Sequence, residues 1–348
     1  MQQYSGEIIF FNKPCVNCGA TDDFITLSEN IDLRINRTVK TVICKTCSLT
    51  FLNPSPTPDS YRKFYEQLKD SKIPSKEKII NHEKNHEFQL CIKFIQDSIG
   101  SLKEMDAVDV GSGHGGFLHY LKPNVKSLVC AELSDGVQES IPKYFGCKVF
   151  QTGTLGESFP QNNFDLITSI AVIEHYDNPL EALRDYYRTL KEGGYIFLNT
   201  PDVINMCFEA GVEKKFKFIH PFYFSVKTLS SLVLQAGFSE IKYYVSDLSF
   251  KYRSLIHPTL VAPGRIFLIA KKDTSRKLAP NKFNLKDSPD ELLKIYQNAI
   301  KREKEFNFKM KFLLLKRIIN KVFPKPKLPS MYKIMYDQYN AAEIKTLD

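Results

Sequence analysis

The stretch Asp109-Val110-Gly111-Ser112-Gly113-His114-Gly115-Gly116 sits between an apolar run over 107–110 and an amphipathic run over 116–121. A strand that passes through a glycine turn into a helix is a βα unit whose loop backbone must come close to something. The residues around it repeat the same rhythm. Strands are predicted over 127–132, 147–150, 164–172 and 195–199, with helices over 136–145 and 179–190 between them. Such alternation predicts a parallel sheet covered by helices on both faces. A Ser225 cap opens a helix over 228–236 that Gly237 stops, and two strands follow near 241–245 and 265–270. Upstream, Ile79, Ile80, Leu90, Ile92, Phe94 and Ile95 are spaced as on a helix leading into this core.

What the loop binds follows from its acids. Gly111, Gly113 and Gly116 satisfy the G-x-G-x-x-G pattern of dinucleotide sites, and Glu132, 21 residues after Gly111, can take both hydroxyls of a ribose. Asp109 separates the two readings. A carboxylate at the turn would face the two negative charges of a pyrophosphate at a few ångströms, which is unfavourable. S-adenosyl-L-methionine offers an ammonium and a sulfonium and carries no phosphate, so Asp109 favours it.

Cys15-Val16-Asn17-Cys18 and Cys44-Lys45-Thr46-Cys47 form two C-x2-C knuckles with 25 residues between them. Each knuckle puts two thiolates on one tight turn, and two such turns complete a tetrahedral site suited to zinc. Four thiolates leave no coordination position for water or substrate, so the expected metal is structural. The alternatives at this point are thiol redox chemistry and a site that no longer binds metal. Cys91, Cys130, Cys147 and Cys207 stand singly in apolar surroundings and are read as core residues.

The formal net charge of +9 is concentrated in one segment. Residues 301–327 hold ten lysines and arginines against two acids, while the rest of the chain is close to neutral. The body therefore lacks the electrostatic footprint of a nucleic-acid binder. No apolar run approaches the roughly 18–20 residues that span a bilayer. The first residues have neither a basic nor an apolar leader pattern, which gives the expectation of a cytoplasmic protein. The segment 309–323 mixes an apolar stripe with cations. It can lie on an anionic membrane at the inner face, or dock as a helix on the core or on a second subunit in a homodimer.

Over roughly residues 100–272 the chain resembles class I S-adenosylmethionine methyltransferases. The resemblance rests on the glycine loop, Asn163-Phe164-Asp165-Leu166-Ile167, Ile173-Glu174-His175-Tyr176-Asp177-Asn178-Pro179, Leu190-Lys191-Glu192-Gly193-Gly194 and Ala236-Gly237-Phe238. It implies a Rossmann-like α/β sheet, with Asp109, Gly111, Ser112, Gly113, Gly115, Glu132, Thr154, Leu155 and Ala171 as cofactor contacts. Gly153-Thr154-Leu155 departs from the family, where many members carry an acid after the third strand. The flank Leu52-Asn53-Pro54-Ser55-Pro56-Thr57-Pro58, with Tyr61 and Tyr65, extends the resemblance to residues 10–272. A zinc ribbon, a proline-rich linker, a tyrosine-bearing helix and this core together are similar to sugar C-methyltransferases and their relatives in surface-glycan clusters.

The implied organisation is a zinc ribbon over 1–58, a helical linker over 59–100, the methyltransferase domain over 101–273 and a basic helical C-terminal extension over 274–348. Ile219-His220-Pro221-Phe222-Tyr223-Phe224-Ser225 is similar to the segment whose histidine is the base in sugar C-methyltransferases, and His220 matches that histidine. Ile219 and Lys217 stand where the family has an acid and a tyrosine, which puts carbanion formation in doubt and favours a hydroxyl acceptor. His220, His175, Glu174 and Tyr223 are the candidate catalytic residues. The implied acceptor is a sugar nucleotide or a lipid-linked glycan of surface polysaccharide or deoxysugar biosynthesis. A zinc-ribbon RNA-base methyltransferase and a cofactor-binding scaffold without turnover are the alternatives.

Overall fold

The computed structural model describes residues 4, 6–67, 75–80, 85–134, 137–153, 155–156, 158–207, 212–246, 264–275, 285–312, 339 and 344–347. In chain order the N-terminal part holds β1 (Phe10–Phe11), β2 (Phe24–Asp32), β3 (Arg37–Cys44), β4 (Thr50–Leu52), β5 (Ser55–Pro56) and the helices α1 (Pro58–Gln67), α2 (Lys76–Ile80) and α3 (Asn85–Ile99). The central part runs β6 (Asp106–Val110), α4 (Leu118–Leu121), β7 (Ser127–Ala131), α5 (Val137–Phe145), β8 (Lys148–Phe150), β9 (Phe164–Ile170), α6 (Pro179–Thr189) and β10 (Leu190–Pro201). It continues with α7 (Val203–Met206), β11 (Phe222–Tyr223), α8 (Val226–Gln235), β12 (Phe238–Val245), β13 (Arg265–Lys272), α9 (Pro289–Phe312) and β14 (Lys345–Leu347).

Eight strands form the main sheet in the order β14-β12-β13-β10-β9-β6-β7-β8. From β8 to β10 all neighbours are parallel, and β13 runs antiparallel between β10 and β12. This is the Rossmann-like arrangement expected from the sequence, with β14 added at one edge. Chain order reverses between β6 and β9, so their carboxyl ends flank the switch point where such sheets bind ligands. Ala107, Val108, Leu166, Ile167, Phe197 and Leu198 have no more than 0% exposure, as strands covered on both faces require.

Local sequence explains the helix ends. Asn178 caps α6 by accepting from the Glu181 N–H, and Pro179 occupies the first turn, where its missing N–H costs nothing. Ser225 and Thr228 form a reciprocal capping box at α8. The Gly193-Gly194 turn before the fifth strand takes a different form from the expectation. β10 already pairs with β9 at Leu190, and the glycines lie in a register shift between Leu190 and Tyr195, with Gly193 at φ +75°. Among the described residues the linker helix is two pieces, α2 and α3, with residues 81–84 between them outside the described residues.

A second sheet has the order β11-β4-β3-β2. Three of its strands come from the cysteine-bearing N-terminus, but β11 comes from residues 222–223 and pairs antiparallel with β4. Packing follows the same route. Cys15, Cys44, Cys47 and Phe51 share one buried cluster with Phe222, Phe224 and the α6–α8 side of the main sheet. The N-terminal module is thus continuous with the core and is not a bead on a linker. Helix α9 packs Leu292, Tyr296 and Ala299 into the cluster formed by Tyr61, Phe64, Phe216 and Phe218. Most of the basic segment 309–323 lies outside the described residues. Cys91, Cys130, Cys147 and Cys207 are buried, in keeping with the core reading.

Candidate active site and metal centre

The glycine loop leaves β6 with Gly111 at φ +68°, a backbone region that favours glycine. A Cβ added there would stand 2.3 Å from Cγ2 of Val172, on the segment leaving β9. The Gly113 N–H donates to Oε2 of Glu132 at 2.9 Å, and Ser134 N–H donates to the other oxygen at 3.0 Å. Glu132 is therefore held at the carboxyl end of β7 with the loop folded over it. Gly115, at φ +86°, has Phe145 where a Cβ would go, so the loop also rests directly on α5.

Asp109 lies one layer deeper than the sequence suggests. It is buried beneath the loop, where its Oδ1 accepts from the Thr168 hydroxyl at 2.6 Å. Burial pushes its carboxyl up to about 7 against the Thr168 and Ser112 hydrogen bonds. The consequence for stability has a definite sign. A proton held in the fold and released in the unfolded chain stabilises fully below pH 4, and that contribution fades as pH rises through about 7. Relative to Asp109→Asn, the ligand-free protein is expected to lose up to about 4 kcal/mol between pH 4 and pH 8, from the shift of about three units. Urea titrations of both proteins across that range check this, and parallel curves would show the carboxyl to be ionised in the fold.

A cleft of about 1210 Å³ opens over the switch point. Gly111, Glu132, Gly153 and Ala171 line its main-sheet side, while Tyr4, Tyr61 and Tyr65 line the opposite wall from the N-terminal module. Ala171 ends β9 by turning left-handed, at φ +56°, with its N–H on the Asn199 carbonyl. Leu155 is fully buried in the core, so its side chain does not reach the cleft. Thr154 lies outside the described residues, and Gln151, Thr152 and Gly153 line the cleft beside it. Ser112 spends its hydroxyl on the Asp109 carbonyl at 3.0 Å.

Three of the four candidate catalytic side chains bring their ligating atoms together. Glu174 and His175 lie on a 3₁₀ turn after β9, and His220 on the segment leading into β11. A ligating atom from each lies within 4.8 Å of the others, and the two imidazole rings meet edge-on at 4.6 Å. His175 lines the cleft, with Nδ1 at 2.8 Å from the Ile219 carbonyl. Glu174 is buried behind it and accepts from the Thr200 hydroxyl at 3.0 Å. Burial first, and then the neighbouring His175 and Lys217, hold His220 well below the usual histidine range.

Tyr223 plays a different part from the one expected of it. Its buried hydroxyl accepts from the Lys217 N–H and donates to the Lys217 carbonyl at 3.1 Å. It braces the loop that carries His220 and does not reach the cleft. Its ring packs edge-on against His220 at 6.0 Å, but the tyrosine whose hydroxyl reaches the histidines is Tyr65 of α1, 3.0 Å from Nδ1 of His175. The sequence signal for it was only the tyrosine-bearing helix after the proline linker, which fits packing equally well. The same loop is tied to the N-terminal module at three more points. Asp32 accepts the Phe218 N–H at 2.8 Å, Tyr61 donates to the Phe218 carbonyl at 2.9 Å, and Leu52 N–H donates to the Pro221 carbonyl at 2.9 Å.

The four knuckle cysteines converge as their spacing predicts. Cys15 and Cys47 sulfurs are 3.4 Å apart, and those of Cys18 and Cys44 are 3.5 Å apart. Tetrahedral Zn–S bonds of about 2.3 Å place sulfurs roughly 3.8 Å apart, so small movements would seat an ion. Each knuckle turns back on itself, with Gly19 N–H on the Cys15 carbonyl and Ser48 N–H on the Cys44 carbonyl, both at 2.8 Å. Gly19 and Ser48 accordingly have positive φ, at 79° and 66°. The donor set and its geometry fit zinc.

A sequence model of the family described as "Methyltransferase domain" matches residues 83–243. An uncharacterized methyltransferase of Schizosaccharomyces pombe is 30% identical over 122 residues, covering 30% of this chain and 44% of that protein. A ubiquinone biosynthesis O-methyltransferase of Nitrosomonas europaea is 25% identical over 117 residues, covering 32% of this chain and 50% of that protein. The chain thus spans about half the length of the curated relatives it matches. A crystal structure of an S-adenosylmethionine-dependent methyltransferase from Thermotoga maritima superposes with a TM-score of 0.43 at 22% identity, covering 61% of this chain and 97% of that one. Residues 83–243 thus match the model of a methyltransferase domain, and they lie on a Rossmann-like, mostly parallel sheet.

Proposed function

We propose that the chain transfers a methyl group from S-adenosylmethionine to a hydroxyl of a sugar or glycan intermediate. The observation that carries this reading is one cleft lined by Gly111, Glu132 and His175 together, with His220 touching His175. The cofactor, when bound, supplies an activated methyl group. The chain's own residues have two tasks, to hold the acceptor oxygen in line with that methyl and to take its proton. His220, kept unprotonated by its surroundings, removes the proton as the oxygen lone pair forms the new C–O bond and the C–S electron pair stays on sulfur. His175 orients the acceptor, its own ring fixed by the Ile219 carbonyl and Tyr65. Glu174 holds the turn through Thr200. Oxygen is favoured over carbon because Ile219 and Lys217 supply no evident partner for an enolate. The four cysteines hold a structural zinc.

Calorimetry with S-adenosylhomocysteine should show micromolar binding, and NAD should not bind. Gly111→Ala is expected to weaken that binding at least about tenfold, since its Cβ would displace Val172 and strain the turn. Mass analysis of sugar-nucleotide acceptors incubated with the cofactor then tests the acceptor class. Binding of NAD in place of the sulfonium product would overturn the reading.

A further inference from the structure

We propose that Glu174, His175 and His220 form a second metal site, separate from the four cysteines, for one divalent transition ion such as zinc or cobalt. This goes beyond methyl transfer and does not depend on it. The donor atoms of all three residues lie within 4.8 Å of one another. Two imidazoles and one carboxylate suit zinc, cobalt or nickel, whereas magnesium and calcium prefer all-oxygen shells.

Two independent observations point to a cation. First, Glu174 is 2% exposed, and among the described residues no lysine or arginine pairs with it. A buried carboxylate is normally paired or ligates a metal, because its charge is otherwise left without compensation. Its only described hydrogen bond is from the Thr200 hydroxyl to Oε2, which leaves Oε1 for an ion. Second, His175 is held as metal-ligating imidazoles are held. Nδ1 lies 2.8 Å from the Ile219 carbonyl, which can only accept, so the tautomer with its hydrogen on Nδ1 satisfies that carbonyl, with the Tyr65 hydroxyl 3.0 Å from the same nitrogen. That tautomer leaves the Nε2 lone pair for a ligand and fixes the ring plane.

Three protein ligands leave a coordination position open, and His175 puts that position at the cleft. An ion in this site takes the His220 lone pair that proton removal uses. On the role of His220 as base proposed above, metal-loaded and base-competent forms exclude each other and occupancy holds the enzyme in a resting state; the site itself does not rest on that role.

The test is a cobalt(II) titration of the full chain with zinc already in the cysteine site. One further equivalent should bind with the visible bands of nitrogen and oxygen ligation and without thiolate charge transfer. His220→Ala and Glu174→Gln should each weaken it at least about tenfold, with the cysteine zinc content and melting temperature retained as proof of folding. His175→Gln, measured alongside, serves if either variant unfolds. Spectra no different from aqueous cobalt, thiolate bands alone, or equal affinity in the folded variants would overturn the site.

Discussion

Cys44→Ser protein is expected to lose turnover by more than about a hundredfold while its affinity for S-adenosylhomocysteine changes by no more than about threefold. The asymmetry follows from which elements a zinc in the cysteine site would hold. Structural zinc binds zinc-finger peptides with about 10–16 kcal/mol of free energy that is at once their folding free energy. Here the cysteine module supplies β4, on which β11 is built, and its sulfurs share a buried cluster with Phe51 and Phe222. Asp32, Leu52 and Tyr61 all bond the loop between Phe218 and Pro221. Losing the metal therefore releases the segment that carries His220 and the wall that carries Tyr65. The glycine loop, by contrast, is held by β6, β7 and the Val172 segment, and among the described residues none of these hydrogen-bonds to the knuckles. Elemental analysis should find about one zinc per chain in the wild type as purified from chelator-containing buffer. A variant whose melting temperature and kcat are unchanged would exclude a structural metal. The substitution is a cleaner probe than a chelator, which would also empty the Glu174–His175–His220 site.

His220→Ala should lower kcat by about 10²–10⁴, the usual cost of losing a positioned base. Cofactor affinity should be nearly unaffected, since His220 meets His175 and not the glycine loop. The loop backbone should also survive, because Tyr223 and Asp32 brace it from Lys217 and Phe218, independently of the imidazole. The choice between oxygen and carbon has its own readout. Deuterium entering from solvent at a carbon beside a substrate carbonyl, without cofactor, would reveal an enolate and overturn the preference for a hydroxyl. His220→Ala protein that turns over at the wild-type rate would remove His220 from proton transfer.

The main-sheet strands from β6 to β13 and the helices α4, α5, α6 and α8 between them were legible because each announces itself locally, whereas α7 and β11 were not. Buried parallel strands read as short apolar runs, and the caps Asn178 and Ser225 stand beside the helices they start. The glycine loop and the two cysteine knuckles were legible for the same reason. Their chemistry depends on residues a few positions apart, so spacing alone carries it. Leu155 shows where this ends, since the turn was found but not the direction of the side chain, which packs inward.

What only the tertiary structure decided are the pairings between distant parts of the chain. Sequence periodicity says that residues 222–223 are apolar, but not that they extend a sheet begun at residue 24. It marks Tyr65 and Tyr223 as aromatic, but not that the first meets His175 while the second is spent on Lys217. It names Glu174, His175 and His220 separately, and only the fold brings them within 4.8 Å. Apolar pattern fixes which face of an element is buried, a property of neighbours along the chain. The partner against which that face or hydroxyl is satisfied depends on how the elements close on one another, through contacts whose two halves lie tens to hundreds of residues apart.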